Sequence, residues 1–259
     1  MLSRRDGLSP RSLEFYQCYL GHASSVVGLH VKGQDIGRFI DSLGCTNGGK
    51  HAYYRALRAF YNWAFSRKSG FGLDAQDNPI LIVEAPKVGK RILPSMTPEQ
   101  LDYLMEQANN TRDKAIISLF ADSGLRLSEL ARISPQNIDW EHHLISAICK
   151  GNKEGYAAFG SRTEALLKEW IAQRSPSDKL WDINASGISI MLRRLGARTG
   201  LPCNPHTFRR TFASVLSKRG LDSLHIMRLG RWESVQMVER YTRSVKFDDS
   251  LRLYSSIVD

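Results

Sequence analysis

No uninterrupted apolar run in this chain approaches the roughly 20 residues that a helix needs to cross a bilayer, so no membrane-spanning segment and no membrane partner are expected. The opening Met-Leu-Ser-Arg-Arg-Asp (1–6) meets charge at once and no apolar stretch follows, unlike a secretory leader. Cysteine is scarce: Cys18, Cys45, Cys149 and Cys203 are widely spaced and form no Cys-x-x-Cys pair. A disulfide framework or zinc site is therefore not expected, and a reducing cytoplasm is the simple setting. No Asp-x-Asp carboxylate cluster offers to hold paired metal ions for nuclease chemistry. Internal repeats and low-complexity stretches are missing as well. Together these absences leave an ordinary globular protein expected to work with no metal and no cofactor.

What the chain has in excess is positive charge. Its 36 Lys and Arg against 26 Asp and Glu give a net charge of +10. Basic side chains gain by releasing counterions from phosphates, so the balance favours a polyanionic partner, although many basic proteins bind no nucleic acid. A length of 259 residues suffices for one large core or two smaller ones. Ser9-Pro10 reads as the N-cap and first residue of a helix carrying Leu13, Phe15, Tyr16, Tyr19 and Leu20. Ile36, Phe39, Ile40 and Leu43 repeat at helical intervals before Gly44. From His51 to Phe65 the same spacing returns through Tyr54, Leu57, Phe60, Tyr61 and Ala64. Lys50, Arg55, Arg58, Arg67 and Lys68 lie on or beside this third segment; cations interleaved with aromatics fit a solvated helix face or a DNA-contacting one. From Phe71 to Leu93 periodicity fails, and Pro79 and Pro86 punctuate an extended piece that ends in Lys87, Lys90 and Arg91. Such a piece suits a linker crossing a phosphate backbone. The expected division is a helical domain over 1–88, a basic linker over 89–96 and a second domain over 97–259. Lys50, Arg55, Arg58, Lys87, Lys90 and Arg91 are the candidate DNA contacts.

The second domain opens on a capping box, Thr97 with Gln100 three residues on. Ala115 to Asp122 reads as a helix stopped by Gly124. Leu144 to Cys149 alternates as a strand, and after a turn through Gly151-Asn152 the stretch Tyr156 to Phe159 can pair back as a hairpin. Ser161 and Glu164 form a second capping box, opening a helix through Ile171, and from Ser186 to the end several short helices are expected. The expected fold class is mainly α, with a small antiparallel β-hairpin or sheet in the second domain.

Six polar residues of this domain share one use: Arg126 in Ser-Gly-Leu-Arg-Leu-Ser-Glu-Leu (123–130), Lys150 in Cys-Lys-Gly-Asn-Lys (149–153), His206 and Arg209 in His-Thr-Phe-Arg (206–209), Trp232, and Tyr241 in Arg-Tyr-Thr (240–242). When a side chain cleaves a phosphodiester, the transition state gathers negative charge on the non-bridging oxygens, so fixed donors there lower the barrier. Arginine is the best such donor, because its planar fork can hold two oxygens and keeps its charge. A nucleophile must also attack in line, and the departing oxygen needs a proton. Glu129, one turn beyond Arg126, can orient its neighbours. His206 and Arg209, at i and i+3, share a helix face. Trp232 offers one N–H and no proton transfer. Tyr241 offers a phenol, a poor nucleophile until cations stabilise the developing phenolate. Lys153 competes with Lys150 and Tyr254 with Tyr241, while Arg231 stands one place out of register beside Trp232.

These strings closely resemble the tyrosine recombinases, the phage-integrase and Xer-type family. Gly-Leu-Arg-Leu-Ser-Glu-Leu (124–130) is similar to the family's first arginine box and Pro-His-Thr-Phe-Arg-Arg-Thr-Phe-Ala (205–213) to its second. Trp232 lies nine positions before Tyr241, where most relatives carry histidine and some tryptophan. One departure is Glu-Gly-Tyr-Ala-Ala-Phe (154–159), which lacks the basic residue and Val-Pro-Leu usual there.

The resemblance implies that Tyr241 attacks DNA to form a 3′-phosphotyrosyl bond, with Lys150 as general acid for the 5′-hydroxyl. His206 would accept or relay the tyrosine proton, or bond a phosphate oxygen. Rejoining would need neither ATP nor metal. It further implies a two-domain C-shaped clamp around duplex DNA, with a helical, SAM-like core-binding domain first and no room before residue 8 for an arm-binding domain. The partners implied are a double-stranded core site with inverted half-sites, further copies of the chain (a dimer per site, a tetramer in synapsis) and accessory DNA-bending or directionality factors. The apolar tail pattern of Phe247, Leu251, Leu253, Tyr254 and Ile257 would pack on a neighbouring protomer or on its own domain. Two rival readings are a type IB topoisomerase-like enzyme and a DNA-binding regulator derived from a recombinase.

Overall fold

Ser9 caps the first helix through its hydroxyl, which accepts from the Ser12 N–H at 3.2 Å, and α1 runs over Pro10–Ser24. The computed structural model describes residues 7–24, 31–89, 94–148, 154–242 and 247–258. It divides into two units, Met1–Lys90 and Arg91–Asp259. In the first unit α2 (Gly33–Ser42) buries Ile36 and Ile40. Helix α3 (Asn47–Ala64) buries Tyr54, Leu57, Tyr61 and Ala64 against them. It begins about one turn before the apolar periodicity does. Thr46 caps it by accepting from the Gly49 N–H, and the small polar residues that follow carry no hydrophobic signal.

The stretch from residue 71 onward, read as extended, is not so throughout. Residues Ala75–Asp77 and Pro79–Ile82 form 3-10 turns, and Ile80 is buried in the first unit's core with Leu73 and Val83 packed beside it. The Asn78 carboxamide accepts from the Ile80 N–H at 3.1 Å and donates to Asn62 at 3.0 Å. Gly33 lets these turns approach α2: a Cβ there would lie 2.4 Å from the Ile82 side chain and 2.6 Å from the Pro79 carbonyl. Turns this short have no hydrophobic period to read.

The second unit is built around α5 (Thr111–Ser123), which is buried nearly all round through Ala115, Ile116, Ile117, Leu119 and Phe120. Asn110 caps it, accepting from the Asp113 N–H at 2.9 Å, so it too begins before its apolar stretch. Helix α4 (Pro98–Glu106) carries the expected capping box of Thr97 and Gln100. After the short α6 (Leu127–Leu130), strands β1 (Ile138–Asp139), β2 (Leu144–Ile148) and β3 (Glu154–Ala158) form an antiparallel sheet in the order β1-β2-β3. Register pairs Ile138 with Ile145 and Ile145 with Ala157, all three buried. The two-residue β1 was too short to announce itself.

Helix α7 (Ser161–Gln173) overturns the second capping box. Gly160, not Ser161, is its N-cap, and no side chain caps it. Glu164 instead faces His143 at 3.0 Å and Lys168 at 2.7 Å. Asp122 on α5 does the anchoring, accepting from the Gly160 N–H at 2.9 Å and from the Thr163 hydroxyl at 2.6 Å. Five helices follow: α8 (Ala185–Thr199), α9 (Pro205–Lys218), α10 (Ser223–Leu229), α11 (Val235–Thr242) and α12 (Phe247–Val258). Phe208 of α9 stacks on Phe120 of α5, ring centroids 5.6 Å apart, which brings α9 to the end of α5. Helix α12 meets its own unit: Asp249 is buried beside Lys218, and a Cβ at Gly220 would lie 3.2 Å from Leu253. Phe247, Leu251 and Tyr254 stay exposed, and the Ile257 side chain lies outside the described residues. Among the described residues no helix is long and apolar enough to cross a membrane.

Candidate active site

Gly124 ends α5 with φ of 56°, a left-handed turn that glycine adopts without strain. A Cβ there would also lie 2.7 Å from the Phe212 ring. The turn delivers Arg126 to the N-cap of α6, where one carboxylate fixes it at both ends. Glu129 accepts from the Arg126 backbone N–H at 2.9 Å and from its guanidinium at 2.6 Å. Glu129 is only 4% exposed while the Arg126 side chain is half-buried, so this pair is better shielded than a solvated surface bridge. The other terminal nitrogen of Arg126 points to the Arg231 carbonyl at 3.5 Å.

Arg209 lies one turn into α9, whose entry is set by Asn204 accepting from the Thr207 N–H at 3.0 Å. It is buried, and its two terminal nitrogens donate to the carbonyls of Gly124 and Gly230. Both carbonyls stand at helix C-terminal ends, where backbone oxygens lack intrahelical partners and carry partial negative charge. They offset a guanidinium that burial, then Arg126 and Arg231, push down to about 10, still charged at neutral pH. Each terminal nitrogen carries a second N–H that these carbonyls do not use.

Trp232 lies beneath Arg209, the guanidinium carbon 4.1 Å from the indole centroid. Its ring stacks on Phe212 at 6.2 Å and meets Tyr241 at 5.6 Å. Gly230 makes room: a Cβ there would fall 1.8 Å from the indole ring. The indole Nε1 is buried and meets no hydrogen-bond partner among the described residues. A buried N–H of this kind costs free energy unless a ligand satisfies it. Tyr241 sits half-buried in the last turn of α11, held one turn back by buried Val238. Tyr254, its competitor, is on α12 and 63% exposed.

His206 reaches solvent at the first turn of α9, yet its ring is partly shielded. Desolvation, then Arg210, Arg209 and Arg126, hold its imidazole below the ordinary histidine range, so it is neutral at pH 7. Arg126, Glu129, His206, Arg209, Trp232 and Tyr241 thus converge from α6, α9, α11 and the α10–α11 connection. Lys150, its competitor Lys153, and the linker cations Lys90 and Arg91 lie outside the described residues. Arg55, Arg58 and Lys87 are exposed on the first unit; Arg55 lies 5.7 Å over the Phe15 ring, and Lys50 donates to the Asp41 carbonyl at 2.6 Å.

Two further arginines of the site were given no role by the sequence reading. Arg210 donates to the Pro94 carbonyl at 3.2 Å and the Thr207 hydroxyl at 2.7 Å, tying α9 to the segment before α4. Arg231 has φ of 55° and donates to three backbone carbonyls. Their acceptors are mostly main-chain oxygens, which no residue letter announces. Chemically, the cluster presents two guanidiniums, an indole N–H and a neutral imidazole around a phenol, a set suited to hold one tetrahedral anion beside a nucleophile. Among the described residues no three His, Cys, Asp or Glu side chains are grouped to hold a metal ion.

The chain is 30% identical to the tyrosine recombinase XerA of Saccharolobus solfataricus over 164 residues, covering 63% of this chain and 56% of that protein. It is 29% identical to the tyrosine recombinase XerC of Mannheimia succiniciproducens over 181 residues, covering 64% and 61%. The matched region thus spans less than two thirds of either relative. Among solved structures, a lambda integrase dimer bound to a COC′ core site matches with a TM-score of 0.75 at 14% identity, covering 93% of this chain and 92% of that one. The Tn1549 transposon integrase in complex with transposon right end DNA matches with a TM-score of 0.74 at 15% identity, covering 99% and 96%. At such identities the likeness is one of fold. The model of the phage integrase family matches residues 94–246, which hold every residue of the cluster, and the chain belongs to that family.

Proposed function

We propose that this protein is a site-specific DNA recombinase that cleaves and rejoins strands through a 3′-phosphotyrosyl intermediate. The observation that carries the reading is the buried indole N–H of Trp232, which has no hydrogen-bond partner among the described residues, on a ring that contacts both the Arg209 guanidinium and the Tyr241 ring. It is an anion site with a phenol at its edge. The scissile phosphate would take N–H bonds from Arg126, Arg209 and Trp232 on its non-bridging oxygens. The Tyr241 oxygen would attack phosphorus while the bond to the 5′-oxygen breaks. Neutral His206 would accept or relay the phenol proton or bond a phosphate oxygen, and Lys150 would be the general acid that protonates the departing 5′-oxygen. One phosphoester replaces another, so the step reverses without ATP or metal. Glu129 keeps Arg126 in place.

The first unit would serve as a helical, SAM-like core-binding domain over 1–88, contacting phosphates through Lys50, Arg55, Arg58 and Lys87. Residues 89–96, with Lys90 and Arg91, would link it to the catalytic domain over 97–259. Relatives described as tyrosine recombinases and neighbours described as bound to core-site or transposon DNA support DNA as substrate. The working form would be a dimer per inverted site and a tetramer in synapsis, in the cytoplasm, moving a mobile element or resolving dimers.

The test is a supercoiled plasmid carrying two copies of the DNA that flanks the protein's own gene. Recombinant circles from the wild type, absent with Tyr241→Phe, support the proposal. Relaxation without exchange would make the protein topoisomerase-like, and binding without either would make it a regulator.

A further inference from the structure

We infer that Arg231 is a positioning residue that holds Arg126 and Arg209 in register for the phosphate; the inference rests on the strand-transferase reading. Arg231 occupies a left-handed backbone conformation, φ of 55°, that side chains with a Cβ rarely adopt. Glycine would take that conformation more easily, so the guanidinium has to compensate by what it holds. One terminal nitrogen donates to the Tyr156 carbonyl of β3 at 2.9 Å and to the Leu229 carbonyl at the end of α10 at 2.8 Å. The other donates to the Ser123 carbonyl at the end of α5 at 3.1 Å and lies 3.8 Å from Glu129.

These acceptors adjoin the groups that fix the other two arginines. Next to Ser123 is Gly124, whose carbonyl accepts from Arg209, and next to Leu229 is Gly230, whose carbonyl accepts from the same guanidinium. The Arg231 carbonyl itself accepts from Arg126. Arg231 therefore ties segments 123–124 and 229–231 to each other and to β3, at the spacing Arg209 needs to bridge them. Its side chain is 8% exposed, and both N–H groups of the first nitrogen are already committed. Its hydrogen bonds to Tyr156, Leu229 and Ser123 all go to backbone carbonyls. It acts through Arg126 and Arg209.

The test uses the full chain with Arg231→Lys, which keeps the charge but not the fork, and Arg231→Gly, which keeps the backbone conformation but not the guanidinium. Single-turnover cleavage of a nicked duplex, duplex affinity and thermal midpoint are measured for each. Both variants are expected to cleave about 10²-fold more slowly, the cost of misplacing a catalytic group by about 1 Å, with duplex affinity unchanged. A substrate with a methylphosphonate at the scissile position has one charge fewer to neutralise, and should recover much of the loss; a fold that is merely loosened would gain nothing from it. Wild-type speed in either variant overturns the inference, as does a loss confined to affinity or unmoved by the methylphosphonate. If the wild type itself forms no covalent adduct, the strand-transferase reading falls and takes this inference with it.

Discussion

The two units of this molecule hold their positive charge in different ways. In the second unit the arginines of the cluster are gripped: Arg126 by Glu129, Arg209 by two helix-end carbonyls, Arg231 by three carbonyls. In the first unit Arg55, Arg58 and Lys87 stand exposed over a core built from Ile36, Leu57, Tyr61 and Ile80. A gripped guanidinium has lost its rotamer freedom before any ligand arrives, which is what stabilising a transition state demands. A solvated one can follow a phosphate backbone and contributes affinity through counterion release. On the proposed function, the difference would separate residues that do chemistry from residues that hold the substrate, although both are only Lys and Arg in the sequence.

The largest effect that would sharpen this contrast is at Arg209. Arg209→Ala removes a preorganised donor and strands the Gly124 and Gly230 carbonyls, and single-turnover cleavage is expected to fall by about 10³-fold with duplex affinity little changed. An equal loss of cleavage rate on changing Arg58 would erase the distinction between the units.

Gly230→Ala probes the same site without touching a charge. The new methyl would overlap the Trp232 ring, so the ring must move, and overpacking of this kind costs about 1–3 kcal/mol. A lower thermal midpoint together with slower cleavage is expected. A faster-cleaving variant would contradict the placement of Trp232 beneath Arg209.

A smaller, pH-dependent effect follows from His206. Desolvation and the nearby arginines keep its imidazole neutral through the ordinary histidine midpoint near pH 6.5, and it takes up a proton only in more acid solution. Because its folded pKa is depressed, stability from this group is present above about pH 6.5 and lost as pH falls through the folded value. Cleavage that uses the neutral ring should hold down to about pH 6.5 and then decline. The acid limb in a plot of log rate against pH should vanish in His206→Gln.

The smallest effects belong to the first unit. Arg55→Ala and Arg58→Ala should each change folding stability by no more than about 0.5 kcal/mol, because neither side chain is buried. Each should weaken duplex binding about equally for all sequences and lower the slope of log affinity against log salt by about 1. A sequence-selective loss would mean that the residue reads bases.

Much of this cluster was legible in the sequence because the proposed chemistry requires particular side chains in particular strings. The Gly-Leu-Arg and His-Thr-Phe-Arg segments pointed to Arg126, His206 and Arg209, and Ser9, Thr97 and Gly124 marked helix ends by local rules that the structure follows. What stayed hidden shares one physical cause, the use of backbone groups and short turns. The carbonyls of Gly124 and Gly230 have no letter of their own, nor do the acceptors that give Arg231 its place. The 3-10 turns around Asn78 pack Ile80 into a core without any period, so the segment read as extended. Ser161 and Glu164 matched a capping box, but Asp122, distant in sequence, holds that helix start instead.

The central claim is that Tyr241 attacks a phosphate held by this cluster. Its most direct test is to incubate the protein in EDTA with nicked duplexes drawn from a randomised pool and from its gene's flanks, then digest the SDS-stable complex and map the modified peptide. A DNA-linked peptide containing Tyr241, absent in Tyr241→Phe although that variant still binds duplex, is the predicted result. An adduct at Tyr254 or another residue, or no adduct from a protein that binds the same DNA, would contradict it.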